Sequence, residues 1–188
     1  MIIGVLALQG DFREHLERLE ELGVEARNVR TPEELAACDG LVLPGGESTT
    51  IGKLMVRFGL AEALGDFHAA GKPIYGTCAG AILLSSEVVE QDVHNLGLLP
   101  ARISRNAYGR QVDSFETDLT IRGLNGTPFR AVFIRAPRFV SLGDGVEVLA
   151  EIDGEPVFVR CGGVLASTFH PELTTDGRVH QMLLELAR

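Results

Sequence analysis

From Ile2 to Ser86 the chain alternates short, apolar, β-rich runs with stretches of helical periodicity, and this alternation restricts its architecture more than any other feature. Ile2–Leu8 is nearly continuously apolar, as a strand covered on both faces of a parallel sheet has to be. Phe12, Leu16, Leu19 and Leu22 then recur at helical spacing, and Gly23 stands where a helix end takes a left-handed residue. Val24–Val29 reads as a second strand. Thr31-Pro32-Glu33-Glu34 opens the next helix with a hydroxyl cap, an early proline and a glutamate at the capping-box position. Gly40–Leu43 is a third strand, followed by helices near Thr49–Phe58 and Leu60–Ala70. Pro73–Thr77 is a fourth strand, and Ala79–Ser86 continues as a helix. Strands and helices in this order predict an α/β fold, a three-layer sandwich around a mostly parallel central sheet.

The second half has a different rhythm. Leu98–Ser104, Gln111–Ile121, Ala131–Ile134, Val146–Ile152, Val157–Arg160 and Gly163–Phe169 are short and β-like. Asn125-Gly126, Gly143-Asp144-Gly145 and Asp153-Gly154 supply turns between them, which predicts extra antiparallel strands. Arg178–Leu186 closes the chain as an amphipathic helix. With no repeat or flexible linker, residues 1–188 are expected to form a single domain.

Charge removes several function classes. Seventeen basic against 26 acidic residues leave a net charge of −9, the wrong sign for tracking a phosphate backbone, so no nucleic-acid partner is expected. The first residues carry neither the basic flank nor the apolar length of a signal peptide or membrane span. Cys38, Cys78 and Cys161 form no CxxC pair, so neither a disulfide framework nor a metal site is expected. A cytoplasmic protein without membrane attachment is the reading that follows.

The chemistry concentrates at Gly76-Thr77-Cys78-Ala79-Gly80, a G-x-C-x-G frame between a strand and an apolar helix. This is the nucleophile-elbow pattern, with cysteine as the nucleophile. The flanking glycines let strand and helix approach closely, and the helix N-terminus favours the thiolate. The Ala79 N–H, unpaired within the helix, can face a developing oxyanion. Cys38 and Cys161 lack such a frame and read as structural. A thiol nucleophile needs a base, and five histidines compete. His15, His68, His94 and His180 read as solvated or core-edge residues. His170 follows a strand and opens His170-Pro171-Glu172, in which residues two apart along an extended segment point the same way. Cys78, His170 and Glu172 therefore form a candidate triad of nucleophile, base and orienting acid.

Leu43-Pro44-Gly45-Gly46-Glu47-Ser48-Thr49-Thr50 adds a Gly-Gly turn before a helix with a Ser/Thr cap. No GxxxxGK[ST] is present, so it is not a phosphate loop; a cradle for a small acidic substrate fits better.

Together with Leu8-Gln9-Gly10, Arg105-Asn106-Ala107-Tyr108-Gly109-Arg110-Gln111, Phe133-Ile134-Arg135-Ala136-Pro137 and Ser167-Thr168-Phe169-His170-Pro171-Glu172-Leu173, these motifs resemble the class I glutamine amidotransferases. Within that class they resemble the glutaminase subunits of pyridoxal 5′-phosphate synthase. The resemblance covers essentially the whole chain. It implies a class I glutamine amidotransferase-like (flavodoxin-like) fold and hydrolysis of L-glutamine to glutamate and ammonia without a cofactor. The ammonia would pass to a separate barrel-shaped synthase subunit. By the same resemblance, glutamine would be held by Gly46, Glu47, Ser48, Arg105, Ile134 and Arg135, and the oxyanion by Gly46 and Ala79. Synthase docking would complete the oxyanion hole around the Gly45-Gly46 peptide. Tyr108 stands where phenylalanine is commoner in this family, and Arg138 lies where the family varies.

Two other readings use fewer of these residues. An α/β-hydrolase-like cysteine hydrolase accounts for the elbow, but that fold places its acid before the histidine. A non-catalytic thiol-sensing protein accounts for Cys78 alone and leaves His170 and Glu172 without a purpose.

Overall fold

The computed structural model describes residues 1–89, 93–105 and 114–188. Strands β1 (Ile2–Leu6), β2 (Glu25–Val29), β3 (Gly40–Leu43) and β4 (Ile74–Thr77) alternate with helices α1 (Phe12–Glu21), α2 (Pro32–Ala36), α3 (Ser48–Arg57), α4 (Leu60–Ala69) and α5 (Ala79–Leu84). Next come β5 (Ser85–Val88), β6 (Leu99–Ser104), β7 (Ser114–Leu119), β8 (Phe129–Ile134) and β9 (Arg138–Leu142). The chain ends with β10 (Glu147–Ile152), β11 (Glu155–Cys161), β12 (Val164–Ser167), a 3-10 turn at Pro171–Leu173 and α6 (Arg178–Leu186).

The central sheet has seven strands in the order β10-β11-β12-β4-β3-β1-β2. From β12 to β2 all neighbours are parallel, while β10, β11 and β12 form an antiparallel extension. Its side chains alternate between two cores. Leu41, Leu43, Ile74 and Ala166 face the layer of α2 to α5; Val42, Tyr75 and Leu165 face α1, α6 and the β7–β8 hairpin. Both faces are thus apolar, which explains the continuous hydrophobic runs in the sequence. Thr31 forms the capping box read from sequence: its hydroxyl accepts from Glu34 N–H at 3.3 Å, and the Glu34 carboxylate accepts from Thr31 N–H at 3.2 Å.

Two strands went unread in the sequence. Helix α5 stops at Leu84 rather than Ser86, and Ser85–Val88 pairs with β6. Arg138–Leu142 pairs with the other edge of β6 and buries only Phe139 among its side chains, so its strand character comes from pairing rather than pattern. The segment read as Gln111–Ile121 is a strand over Ser114–Leu119, its first residues lying outside the described ones.

The order β2-β1-β3 reverses the winding direction between β1 and β3, the place where open parallel sheets carry their sites. The loops after β4 and β12 open on the same edge, because all four strands run parallel. No described helix is long and apolar enough to cross a membrane.

Candidate active site

Cys78 sits between β4 and α5 at φ 49°, a conformation non-glycine residues seldom adopt. The glycine frame has the steric cause inferred from sequence. A Cβ on Gly76 would lie 2.6 Å from the carbonyl carbon of Gly80, and one on Gly80 would lie 2.1 Å from Leu43 O. Helix α5 therefore touches the ends of β3 and β4 backbone to backbone, which holds the strained turn. Cys78 N–H donates to Ser167 O at 2.8 Å, tying the elbow to the end of β12.

Three residues beyond Ser167 stands His170. Its N–H donates to Val132 O of β8 at 2.8 Å, and Pro171 turns the chain so that Glu172 faces back. His170 Nδ1 lies 2.7 Å from Glu172 Oε1. Both residues are buried. Burial pulls His170 down, but the hydrogen bond with Cys78 and the bond and charge of Glu172 outweigh it and lift the ring to about 10. Burial pushes the Glu172 carboxyl up, against the opposing effect of His170. The structure thus pairs His170 with Glu172 and sets Cys78 near enough to the ring to influence its proton.

The Gly-Gly loop meets the same cluster. A Cβ on Gly45 would come within 2.6 Å of His170 Cε1 and 3.0 Å of Asp11 Oδ2. Gly45 O accepts from Asp11 N–H at 3.1 Å, and Gln9 Oε1 accepts from Glu47 N–H at 2.8 Å, so the loops after β1 and β3 are bonded together. Asp11 Oδ2 is 3.8 Å from His170 Nδ1. Asp11, His170 and Glu172 bring ligand-type atoms within 4.8 Å of one another, but the histidine nitrogen is already engaged by Glu172, a hydrogen-bonding arrangement rather than an open metal cage.

Glu47 behaves differently from its sequence reading. It is itself the N-cap of α3, where a Ser/Thr cap was expected: its carboxylate accepts from Thr49 N–H at 3.1 Å and Thr50 N–H at 2.7 Å. The Thr50 hydroxyl is the largest cause holding this carboxyl down to about 2. Arg105 Nη2 lies 2.9 Å from Glu47 and Nη1 3.0 Å from Thr49 Oγ1, so the cation and anion picked out from sequence stand side by side. Ser48 is buried, and its hydroxyl makes no hydrogen bond among the described residues. Ile134 and Arg135 are exposed at the end of β8, with Arg135 at φ 44°, two and three residues from the carbonyl that holds His170. The rest of the Arg105–Gln111 motif, from Asn106 onward, lies outside the described residues.

His15 and His180 require correction: neither is solvated or at the core edge, and both are fully buried, His15 beside Glu172 and His180 beside His15. The signal was present in the spacing. His15 falls on the stripe of Phe12, Leu16 and Leu19, and His180 on that of Leu183 and Leu184, positions that face the core whatever residue occupies them.

Known proteins resemble this chain in sequence and fold over nearly their full length. A pyridoxal 5′-phosphate synthase subunit PdxT from Thermus thermophilus is 55% identical over 188 residues, covering 99% of this chain and 97% of the relative. The protein of the same name from Niallia circulans is 50% identical over 188 residues, covering 100% and 98%. A crystal structure of a glutamine amidotransferase, 54% identical, superposes with a TM-score of 0.95 over 100% of this chain and 99% of that one. PurLQS from Thermotoga maritima, at 20% identity and a TM-score of 0.73, shares the fold over 100% of this chain and 98% of its own. Residues 5–187 match the SNO glutamine amidotransferase family, and with sheet, elbow and full-length relatives in agreement, the chain belongs to that family.

Proposed function

We propose that this chain hydrolyses L-glutamine to L-glutamate and ammonia as the glutaminase subunit of a pyridoxal 5′-phosphate synthase. The observation that carries the reading is the buried His170–Glu172 pair, 2.7 Å apart, whose ring responds to the Cys78 thiol on its strained elbow. Full-length relatives named as subunits of that synthase support the choice of partner.

The geometry suggests a division of labour. Cys78 Sγ attacks the amide carbon of the glutamine side chain, and the oxyanion forms near the first N–H groups of α5 and the Gly46 peptide. Glu172 holds His170 Nδ1, leaving Nε2 toward the sulfur. A ring lifted to about 10 carries a proton at neutral pH, and that proton goes to the departing ammonia as the γ-glutamyl thioester forms. His170 then takes a proton from water, which attacks the thioester, releases glutamate and returns the sulfur and the protonated ring to their starting states. The paired Arg105 and Glu47 offer adjacent partners for the substrate α-carboxylate and α-ammonium, with Ser48, Ile134 and Arg135 around them. No cofactor enters these steps.

Because Gly45 O is bonded to Asp11 N–H, turning the Gly45-Gly46 peptide toward the oxyanion breaks one hydrogen bond, worth about 1 kcal/mol. Docking of the synthase subunit supplies that work, so ammonia release accelerates when it is added. We read residues 1–188 as one glutaminase domain, because β12 and α6 complete the cores begun by β1 and β4. Free thiols at Cys38, Cys78 and Cys161 suit a reducing, cytoplasmic setting. Neither the hydrolase nor the sensor alternative is favoured by the family.

The test is ammonia release from glutamine, with and without the synthase subunit, for the native chain and Cys78→Ala. Release that needs Cys78 and rises with the synthase is expected. Release surviving the substitution would remove Cys78 from the mechanism, and equal rates without the synthase would end the docking argument.

A further inference from the structure

The Glu172 side chain is 0% exposed, and its bond to His170 uses only one of its oxygens. The other, Oε2, lies 3.3 Å from Nε2 of His15 and makes no well-aligned hydrogen bond among the described residues. His15 Nε2 is also 3.2 Å from Thr77 Oγ1, and His15 Nδ1 is 2.9 Å from Nε2 of His180. The two rings meet edge-on with centroids 5.1 Å apart. The chemistry at Cys78 does not by itself account for two buried histidines brought together from α1 and α6.

Their protonation follows from their partners. Burial is the largest cause driving His15 well below its ordinary value, with His180 and His170 adding to it; burial also takes His180 down to about 4, helped by Arg18. Both rings are therefore neutral, and each has one N–H to place. If His15 carried it on Nδ1, a bare Nε2 lone pair would face the carboxylate, and His180 would bury an N–H on Nδ1, which has no hydrogen-bond partner. If His15 carries it on Nε2, that N–H is aligned with Thr77 Oγ1 and lies beside Glu172 Oε2 at a ring-to-oxygen distance of 3.3 Å, and Nδ1 accepts from His180 Nε2–H. Of the four ring nitrogens only His180 Nδ1, as a lone pair, is then left over, and an orphan acceptor costs less than an orphan donor.

We propose that His15, keyed by His180, is a positioning residue that holds Oε2 of Glu172 and so keeps Oε1 turned to His170. The proposal rests on the reading of Cys78, His170 and Glu172 as the triad. The titratable and charged groups facing this network are His170, Cys78 and Asp11 at the ends of the parallel strands, Tyr75 from β4 beside His180, and Arg18 along α1.

The sign of the effect is fixed. Removing the His15 donor makes the Glu172 carboxylate harder to ionise. His170 then loses its anionic partner and releases its proton at lower pH. The experiment is nitrogen NMR of the full chain labelled at histidine, for the native protein, His15→Leu and His15→Gln, beside glutaminase assays with the synthase subunit. His15 and His180 in the native chain should be neutral and protonated on Nε2. In His15→Leu the His170 titration should fall by about one pH unit or more. There kcat should drop about 10-fold or more at little change in KM, with its acid limb moved to higher pH. His15→Gln, which returns an N–H near the Nε2 position, should recover both. A native His15 protonated on Nδ1 or charged at neutral pH overturns the proposal even if His15→Leu fails to fold, and so does an unmoved His170 titration in His15→Leu. A native chain with these spectra but no ammonia release beside the synthase would sink the glutaminase reading and leave the positioning role standing.

Discussion

Gly80→Ala tests the elbow through a single methyl group. Its Cβ would lie 2.1 Å from Leu43 O and 2.8 Å from Leu43 C, atoms of a strand inside the central sheet that cannot swing aside. Relieving the clash means moving α5 away from β3 by roughly 1 Å, and a gap of that size forfeits a quarter to a half of each dispersion contact it opens. All six residues of α5 are buried, so the loss sits near the upper end of overpacking costs, about 3 kcal/mol. For a domain of this size that lowers the melting temperature by roughly 6–12 °C. Because Cys78 is the residue before α5, the same shift displaces the sulfur and should cut kcat about 100-fold. Gly65→Ala is the internal control. It lies within α4 with nothing within 4 Å of the added Cβ, so it should raise stability by about 0.5–1 kcal/mol and leave activity alone. Thermal unfolding and ammonia release on the two variants decide the matter. A Gly80→Ala protein as stable and as active as Gly65→Ala would refute the close-packing account of the elbow.

Two more outcomes follow from the site. Glu172→Gln keeps the shape but removes the charge beside His170 Nδ1; kcat should fall about 100-fold or more with KM little changed, and His170 should titrate below its native value. Steady-state kinetics within threefold of native would exclude an orienting role for the acid. Glu47→Ala should destabilise by about 1 kcal/mol at neutral pH, the worth of an N-cap, with little added for charge at a half-exposed carboxylate. A carboxyl held below its unfolded value of 4.5 contributes stability above that pH and loses it as pH falls through about 2. The gap between native and variant urea midpoints should therefore close near pH 2, and a gap that widened in acid would reverse the assignment.

What could be read from sequence was whatever a short stretch determines alone. The G-x-C-x-G frame, the His170-Pro171-Glu172 step and the Thr31 capping box depend on neighbours within a few positions, and their geometry is as the residues require. Strands β5 and β9 were missed because they exist by pairing with β6: Ser85-Ser86 looks like the tail of a helix, and Arg138–Leu142 has one buried side chain. Glu47 was read as a substrate contact only; its capping of α3 depends on the turn at Gly46, where φ is 148°. The burial of His15 and His180 was legible in helical spacing, but their meeting was not, since it requires α1 and α6 to share one face of the sheet.

Strand order is the remaining determinant, and it decides whether the motifs make a site at all. Parallel strands deliver their following loops to one edge of the sheet, so Gln9–Asp11, Gly45–Glu47, Cys78 and His170 are collected there whatever their separation in sequence. How close they come depends on which strands are neighbours. With β12 beside β4, Cys78 and the segment leading to His170 are one strand spacing apart, about 4.8 Å, and Cys78 N–H bonds directly to Ser167 O. Had β12 paired instead with the free edge of β2, the same two motifs would stand about 19 Å apart, beyond the reach of a thiol and an imidazole. Tyr75 and Ser167 bind the two strands through their hydroxyls at 2.8 Å across the buried face. The β4–β12 ladder is therefore as much a condition of the chemistry as the triad side chains, although most of its residues never meet a substrate.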